Sequence, residues 1–372
     1  MLNKKLYILF DVTSSNINRI VLPIANKLIE AEGALVIVLS ESLVETDSID
    51  YTSFNSSIIF STKKKININF NDFKEKKFVT FGYRIADLYL TYKFKKLGFY
   101  TYQIQHGMYQ DFLKRSFKGY FSNMPKKKYY LKCLIKLVFT GNLYIFIYLL
   151  NKDLFKSYLL NNFLIKNNSK LDSIQSNKVF VWGELWKNWF MKNHFYKIND
   201  KFIIMGNPDF HKFVNNKKQN DVKVCYIAQT FFEDGRIIKS NILDYIENIS
   251  NYFQEDLYVK LHPRSKKSLF SKVLDNKGKI GYEFPKAEVY VGHYSSLLSL
   301  AMNTNALIIL IKINDEEIPD YFLNNADFIF ETIEDFKLFK MPNQYKPKEK
   351  NINKYFLNTN IDTLDLICEN IN

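Results

Sequence analysis

Short apolar runs recur along this chain, each closed by a polar or glycine-bearing turn and several followed by a helical stretch. Leu6 to Phe10 reads as a strand, Val21 to Glu32 as an amphipathic helix stopped by Gly33, and Ala34 to Leu39 as a second strand. Phe78 to Phe81, a helix from Arg84 to Leu97 closed by Gly98, and Thr101 to Gln105 repeat that order, with short strands again at Lys178 to Trp182 and Phe202 to Met205. In the second half, Val222 to Ala228, Leu257 to Leu261, Val289 to Val291 and Ala306 to Ile311 read as strands, with helices at Ile237 to Phe253 and Ser296 to Met302. Repeated strand–helix–strand units with short connections imply an α/β fold, a parallel sheet covered by helices on both faces.

With 372 residues the chain is longer than one hydrophobic core usually supports, and 47% apolar residues suffice for two. The polar stretch Asn215 to Asn220 has linker composition and divides the chain into residues 1–215 and 221–340. A Lys- and Asn-rich tail, 341–372, ends in an amphipathic helix near Ile361 to Cys368 that can cross back to the first domain. Cys133, Cys225 and Cys368 form no CxxC pair and are too few for a disulfide framework, which fits a reducing cytosol. The start of the chain reads as the first core strand, not a signal peptide, and no run of apolar residues is long enough to span a bilayer.

A formal charge of +14 favours an anionic partner, although lysine is abundant throughout and part of the excess fits a solvated basic surface. No nucleic-acid module is present: no C2H2 spacing, no RNP1-like string, no compact arginine stripe. Between about 126 and 156, Lys126-Lys127-Lys128 precedes an apolar, aromatic stretch broken by Lys132, Lys136 and Gly141. Two readings fit it, an interfacial helix drawn to anionic lipid or a helix pair packed inside the first domain.

Chemistry-bearing residues stand where the C-terminal strands end. Glu233-Asp234-Gly235 follows the strand through Ala228, His262-Pro263 the strand through Leu261, and Ser295-Ser296 the strand through Val291. Carboxyl ends of parallel strands line the ligand crevice of an open α/β sheet. The carboxylates serve either as a general base or as a cap on the next helix, with Gly235 allowing a sharp turn. His262, stiffened by Pro263 and followed by Arg264, Lys266 and Lys267, suits a phosphate-facing loop. Ser295 and Ser296 open a helix, as cap, as phosphate ligands, or as both.

The Glu-Asp-Gly, His-Pro and Ser-Ser elements in this order resemble bacterial sialyltransferases and polysialyltransferases that use a CMP-activated sugar. That resemblance covers about a hundred residues and implies a GT-B fold, two Rossmann-like domains facing a central cleft, with the nucleotide held mainly by the C-terminal one. It implies Asp234 or Glu233 as the base, and His262, Pro263, Ser295, Ser296, Gly235 and Gln229 around the donor. In the N-terminal half, Gln105-His106-Gly107 resembles the histidine-glycine element of CDP-glycerol glycerophosphotransferases, where a histidine is the base. His106 then faces the cleft from the opposite domain. The string Val181-Trp182-Gly183-Glu184-Leu185-Trp186 with Met205-Gly206-Asn207-Pro208 is also seen in polysaccharide enzymes of this shape, or is a packed connection.

No Asp-X-Asp string follows a strand, and His194, His211 and His293 show no metal-ligand spacing, so transfer without a metal cofactor is expected. Walker A and GxGxxG strings are absent. The expectation is a membrane-associated, cytoplasmic glycosyltransferase moving an acidic sugar from CMP to a bacterial surface glycan. Its rivals are a CDP-glycerol glycerophosphotransferase and a non-catalytic glycan-binding protein.

Overall fold

The structure, a computed structural model, describes residues 5–12, 16–40, 55, 57–61, 68–108, 124–151, 158–196, 201–215, 222–231, 233, 237, 239–262, 265–274, 278–313, 318–342, 344–350, 356 and 362–372. The expected linker residues 216–220, and Asp234, Gly235 and Pro263, lie outside them. The chain divides into two compact units.

The first unit holds Met1–His106, Asn123–Pro208 and Lys354–Asn372. Its elements run β1 (Lys5–Phe10), α1 (Leu22–Glu32), β2 (Leu35–Leu39), β3 (Ile58–Ser61), β4 (Glu75–Thr80), α2 (Ile85–Lys96), β5 (Tyr100–Ile104), α3 (Met124–Val138), α4 (Leu143–Leu150), α5 (Tyr158–Lys166), β6 (Lys178–Val181), α6 (Glu184–His194) and β7 (Phe202–Ile204). All seven strands are parallel, in the order β3-β2-β1-β4-β5-β6-β7. The central β1 is an unbroken apolar run because both of its faces are covered, and Leu6, Ile8 and Phe10 pack with Ile37, Phe78, Leu90 and Phe94. A π-helical turn, Ile17–Val21, leads from β1 into α1. Gly33 closes α1 in the left-handed region, φ 58°, its N–H donating to the Ile29 carbonyl.

The second unit holds Gly107–Ser122 and Asp209–Asn353. After α7 (Pro208–Asn215) come β8 (Val222–Ile227), α8 (Lys239–Phe253), β9 (Leu257–Lys260), α9 (Lys267–Leu274), β10 (Lys279–Gly281), β11 (Ala287–Gly292), α10 (Ser296–Ala301), β12 (Leu307–Ile311), α11 (Asp320–Asn325), β13 (Phe328–Phe330) and α12 (Ile333–Lys337). Six parallel strands stand in the order β10-β9-β8-β11-β12-β13. Tyr226, Val259, Val291, Ile309 and Ile311 form the core beneath Ile246 and Phe336. The last helix, α13 (Thr363–Ile371), packs on α1 of the first unit, where Asp365 pairs with Lys27 and the Thr363 hydroxyl donates to the Met205 carbonyl.

Three strands, β3, β10 and β13, were not expected from sequence. All three are edge strands of three or four residues, each partly exposed, and apolar stretches this short carry too little signal to mark a strand.

Candidate active site

In both sheets the strand order reverses direction once, between β1 and β4 and between β8 and β11. A crevice opens outside the carboxyl ends of the strands at such a switch point. In the second unit the register aligns Lys260, Ile227 and Gly292 in one row across β9, β8 and β11. Two residues further along stand His262, Gln229 and Tyr294, on neighbouring strand ends spaced about 4.8 Å apart. Gln229 Nε2 donates to the Tyr294 carbonyl at 2.7 Å and so ties the β8 exit to the loop that carries Ser295. Gln229, expected among the donor-binding residues, therefore has its amide N–H engaged within the loop scaffold.

Ser295 is the N-cap of α10: its backbone is extended, and its Oγ accepts from the Leu298 N–H at 3.0 Å. Capping uses the acceptor side of the hydroxyl and leaves its proton available to a ligand. Ser296, half-buried, is the first residue of the helix, and the N–H groups of Ser296 and Leu297 precede the first intrahelical bond. His262 is half-buried at the β9 exit, where its carbonyl accepts from the Ser265 N–H at 2.8 Å. Glu233 lies in the loop after β8, and both of its carboxylate oxygens are shielded from solvent with no hydrogen-bond partner among the described residues. A carboxylate in that state is costly unless it has a proton or a ligand to accept.

Two further groups near this row belong to the core. His293 follows β11, is 2% exposed, and sits among the rings of Tyr226, Phe231 and Tyr245. Its Nδ1–H donates to the Ile311 carbonyl at 2.6 Å, which leaves Nε2 to accept from the Tyr226 hydroxyl at 3.0 Å. Burial pushes its pKa down to about 4, so the ring is neutral and satisfied. Lys260 is also buried, its ammonium donating to the Leu261 carbonyl at 2.8 Å, and burial lowers its pKa despite the neighbouring Cys225.

The first unit carries a constellation that sequence reasoning missed apart from His106. Asp11, fully buried at the end of β1, and Arg84, after β4, span the switch point at 3.3 Å. Asp87 grips the same guanidinium from the other side at 2.6 Å and 3.0 Å, and also accepts from the Arg84 N–H and the Thr80 hydroxyl. The two carboxylates hold Arg84 charged, and Arg84 with these hydrogen bonds holds Asp87 below the usual carboxylate range although burial opposes both. A Cβ at Gly82 would stand 2.9 Å from Asp87 Oδ2 and 3.0 Å from the Arg84 guanidinium, so a side chain there would push on the ion pair. Arg19, from the π-helical turn, donates to the His106 carbonyl at 2.7 Å and anchors the β5 exit. His106 Nδ1 is shielded from solvent with no partner among the described residues. Burial pushes this imidazole down to about 4, with Asp11 opposing and Arg84 and Arg19 assisting, so it is unprotonated at neutral pH. The legible signals were Asp11 at a strand end and the Arg84-to-Asp87 spacing that opens α2.

A groove of about 710 Å³ in the second unit lies at the opposite end of its sheet. Lys286, Tyr290, Thr304, Met341 and Tyr345 line it, at the amino ends of β11 and β12. It contains none of the strand-end groups above, and open parallel sheets bind ligands at their carboxyl ends, so the candidate site is placed there and not in the groove. Val181, Trp182, Gly183 and Trp186 of the first aromatic string, and Met205–Pro208, are buried in the first unit, whereas Glu184 and Leu185 are exposed. Trp182 is fully buried against Trp186 and Phe356, and its indole N–H donates to the Gln105 carbonyl at 3.1 Å.

No protein-family model matches the chain, and no curated protein does. Among solved structures it is similar to UDP-GlcNAc 2-epimerase of Methanocaldococcus jannaschii, with 16% identity, coverage of 99% of both chains and a TM-score of 0.54. It is likewise similar to a variant of the wall teichoic acid polymerase TagF, with 11% identity, coverage of 100% of this chain and 88% of that one, and a TM-score of 0.53. The fold is GT-B. At these identities the likeness concerns the fold.

Proposed function

We propose that this GT-B protein is a glycosyltransferase that moves a sialic-acid-like sugar, nonulosonic or Kdo-like, from a CMP donor to a hydroxyl of a bacterial surface glycan, capsule or lipooligosaccharide. The observation that carries the reading is the adjacency of β9, β8 and β11, which puts His262, the Glu233 loop and Ser295-Ser296 at neighbouring strand ends of one sheet. A nucleotide-sugar partner is also in keeping with the M. jannaschii epimerase, which was crystallised with UDP-GlcNAc and UDP.

In this reading the acceptor oxygen forms its bond to the anomeric carbon as the bond from that carbon to the CMP phosphate oxygen breaks. The hydroxyl proton passes to Asp234 or to Glu233, whose shielded oxygens, without a partner among the described residues, suit a base awaiting a substrate. The electron pair leaves on phosphate, where His262, the Ser295 and Ser296 hydroxyls and the N–H groups that open α10 stabilise the charge. Pro263, Gly235 and Gln229 shape the loops around the donor. A single phosphate leaves with one developing charge, and the proposed mechanism needs no metal.

A second reading, glycerophosphate transfer from CDP-glycerol, is favoured by His106. That imidazole stands at a strand end, unprotonated and with a shielded nitrogen that has no partner among the described residues, as a base should. Both readings place the protein at the cytoplasmic face of a membrane, where lipid-linked acceptors are presented. No helix among the described residues is long and apolar enough to cross a bilayer, so the association proposed is peripheral.

Turnover assays with CMP-sugars, CDP-glycerol and UDP-sugars distinguish these readings. The expected result is CMP release from a CMP-sugar alone, unchanged by EDTA. Either Asp234→Ala or Glu233→Gln should lower kcat by roughly a hundredfold or more while CMP binding persists. Turnover of CDP-glycerol alone, abolished by His106→Ala, would establish the second reading instead. A protein that binds glycan with no turnover of any donor would be a binding module.

A further inference from the structure

Among the described residues, eight large apolar side chains stand exposed on three consecutive helices of the first unit: Leu131, Ile135 and Phe139 on and just after α3, Leu143 and Phe146 on α4, and Leu159, Phe163 and Ile165 on α5. Several are almost free of the protein, with Phe139 83%, Leu159 78% and Leu143 62% exposed. Other large apolar groups on the surface are scattered singly, which is ordinary for a folded chain; a run of eight on one helical layer is not. The three helices are one packed layer. Cys133, Leu137, Ile145, Tyr148 and Leu164 turn inward, α3 contacts α2 and α4, and Tyr144 of α4 stacks on Phe163 of α5 with ring centroids 5.6 Å apart.

The outward face of α3 has a particular pattern. Lys128, Leu131, Lys132, Ile135, Lys136 and Phe139 recur at the helical spacing of three and four, so an apolar line runs beside a lysine line on the same face. The loop after α5 adds exposed Lys170, and α5 itself ends in Lys166. From Met124 to Leu171 the sequence has nine lysines and one aspartate.

We propose that the outward face of α3, α4 and α5 is a docking surface for an anionic lipid bilayer. The apolar side chains would enter the headgroup boundary while Lys128, Lys132, Lys136 and Lys166 meet lipid phosphates, their aliphatic stems lying along the apolar stripe. Charge selects this occupant over a second copy of the chain. A two-fold interface would set the lysine line of one copy against that of the other, with no carboxylate among the described residues of α3, α4 and α5 to offset it. The surface deepens the membrane half of the proposed function and does not depend on the donor.

Co-sedimentation of the full chain with vesicles of phosphatidylcholine alone, and of phosphatidylcholine mixed equally with phosphatidylglycerol, tests the proposal without any sugar. Sedimentation with the anionic vesicles, weakened by high salt, is the expected result. Lys132→Glu with Lys136→Glu should lower the partition coefficient by at least about twentyfold. Phe139→Asp with Leu143→Asp and Leu159→Asp should lower it by about tenfold or more. All five side chains are exposed, and unchanged thermal melting would show that the variants fold. Failure of the wild-type chain to sediment with either vesicle overturns the proposal, as does equal sedimentation of both variants. A wild-type dimer in analytical ultracentrifugation that Phe139→Asp dissolves would overturn it in favour of self-association. Because turnover is never read, a failed vesicle experiment leaves the transferase reading intact, and a failed donor screen leaves the surface intact.

Discussion

At the scale of single residues, His293 and His262 show how two histidines at neighbouring strand ends acquire opposite roles. His293 is one residue beyond β11 and turns into the core, whereas His262 is two beyond β9 and stays half-buried at the rim; successive residues of an extended chain face opposite ways. Because the His293 pKa is pushed down to about 4, the unfolded chain takes up a proton below an ordinary imidazole pKa that the folded chain refuses. Its contribution to stability is therefore full above about pH 6.5 and is lost as the pH falls toward 4. Urea unfolding should show the wild-type chain losing about 2 kcal/mol more stability between pH 7 and pH 5 than His293→Phe does. Equal losses would mean that the ring is not held neutral. Sequence spacing gives this histidine no metal-ligand pattern, but the tautomer and the Tyr226 and Ile311 partners come from tertiary contacts alone. The same is true of the Asp11, Arg84 and Asp87 cluster, whose members were visible only as a strand-end carboxylate and a helix-opening pair.

At the scale of elements, α10 separates capping from ligand binding. Ser295 closes the helix start with its own side chain, so Ser295→Ala should cost about 1 kcal/mol in denaturant unfolding. Ser296 makes no cap, and Ser296→Ala should leave stability nearly unchanged while weakening CMP binding by about tenfold, read by calorimetry. The reverse pattern, or two silent variants, would remove α10 from the donor site. The interior strands were readable because covered faces demand unbroken apolar runs, as in β1 and β12, whereas the short edge strands β3, β10 and β13 give too little signal. The aromatic string around Trp182 was open between a functional and a packing role, and the burial of that indole assigns it to packing.

At the scale of the whole molecule, the alternation of strands and helices specified two parallel α/β units, and the structure adds their strand order. That order matters more than any single motif, because it brings β9, β8 and β11 side by side and turns three distant stretches of sequence into one rim. The amphipathic pattern of the tail marks α13 and its possible return, while its partners in the first unit, the Lys27–Asp365 pair and the packing against α1, come from the structure. The central claim is that this rim of the second unit holds a nucleotide monophosphate. A crystal structure of the protein soaked with CMP tests it most directly. The account predicts the phosphate within hydrogen-bonding distance, about 2.7–3.2 Å, of His262 and of the Ser296 hydroxyl or N–H. A nucleotide seated elsewhere, or His262 and the serines opening into separate pockets, would contradict it.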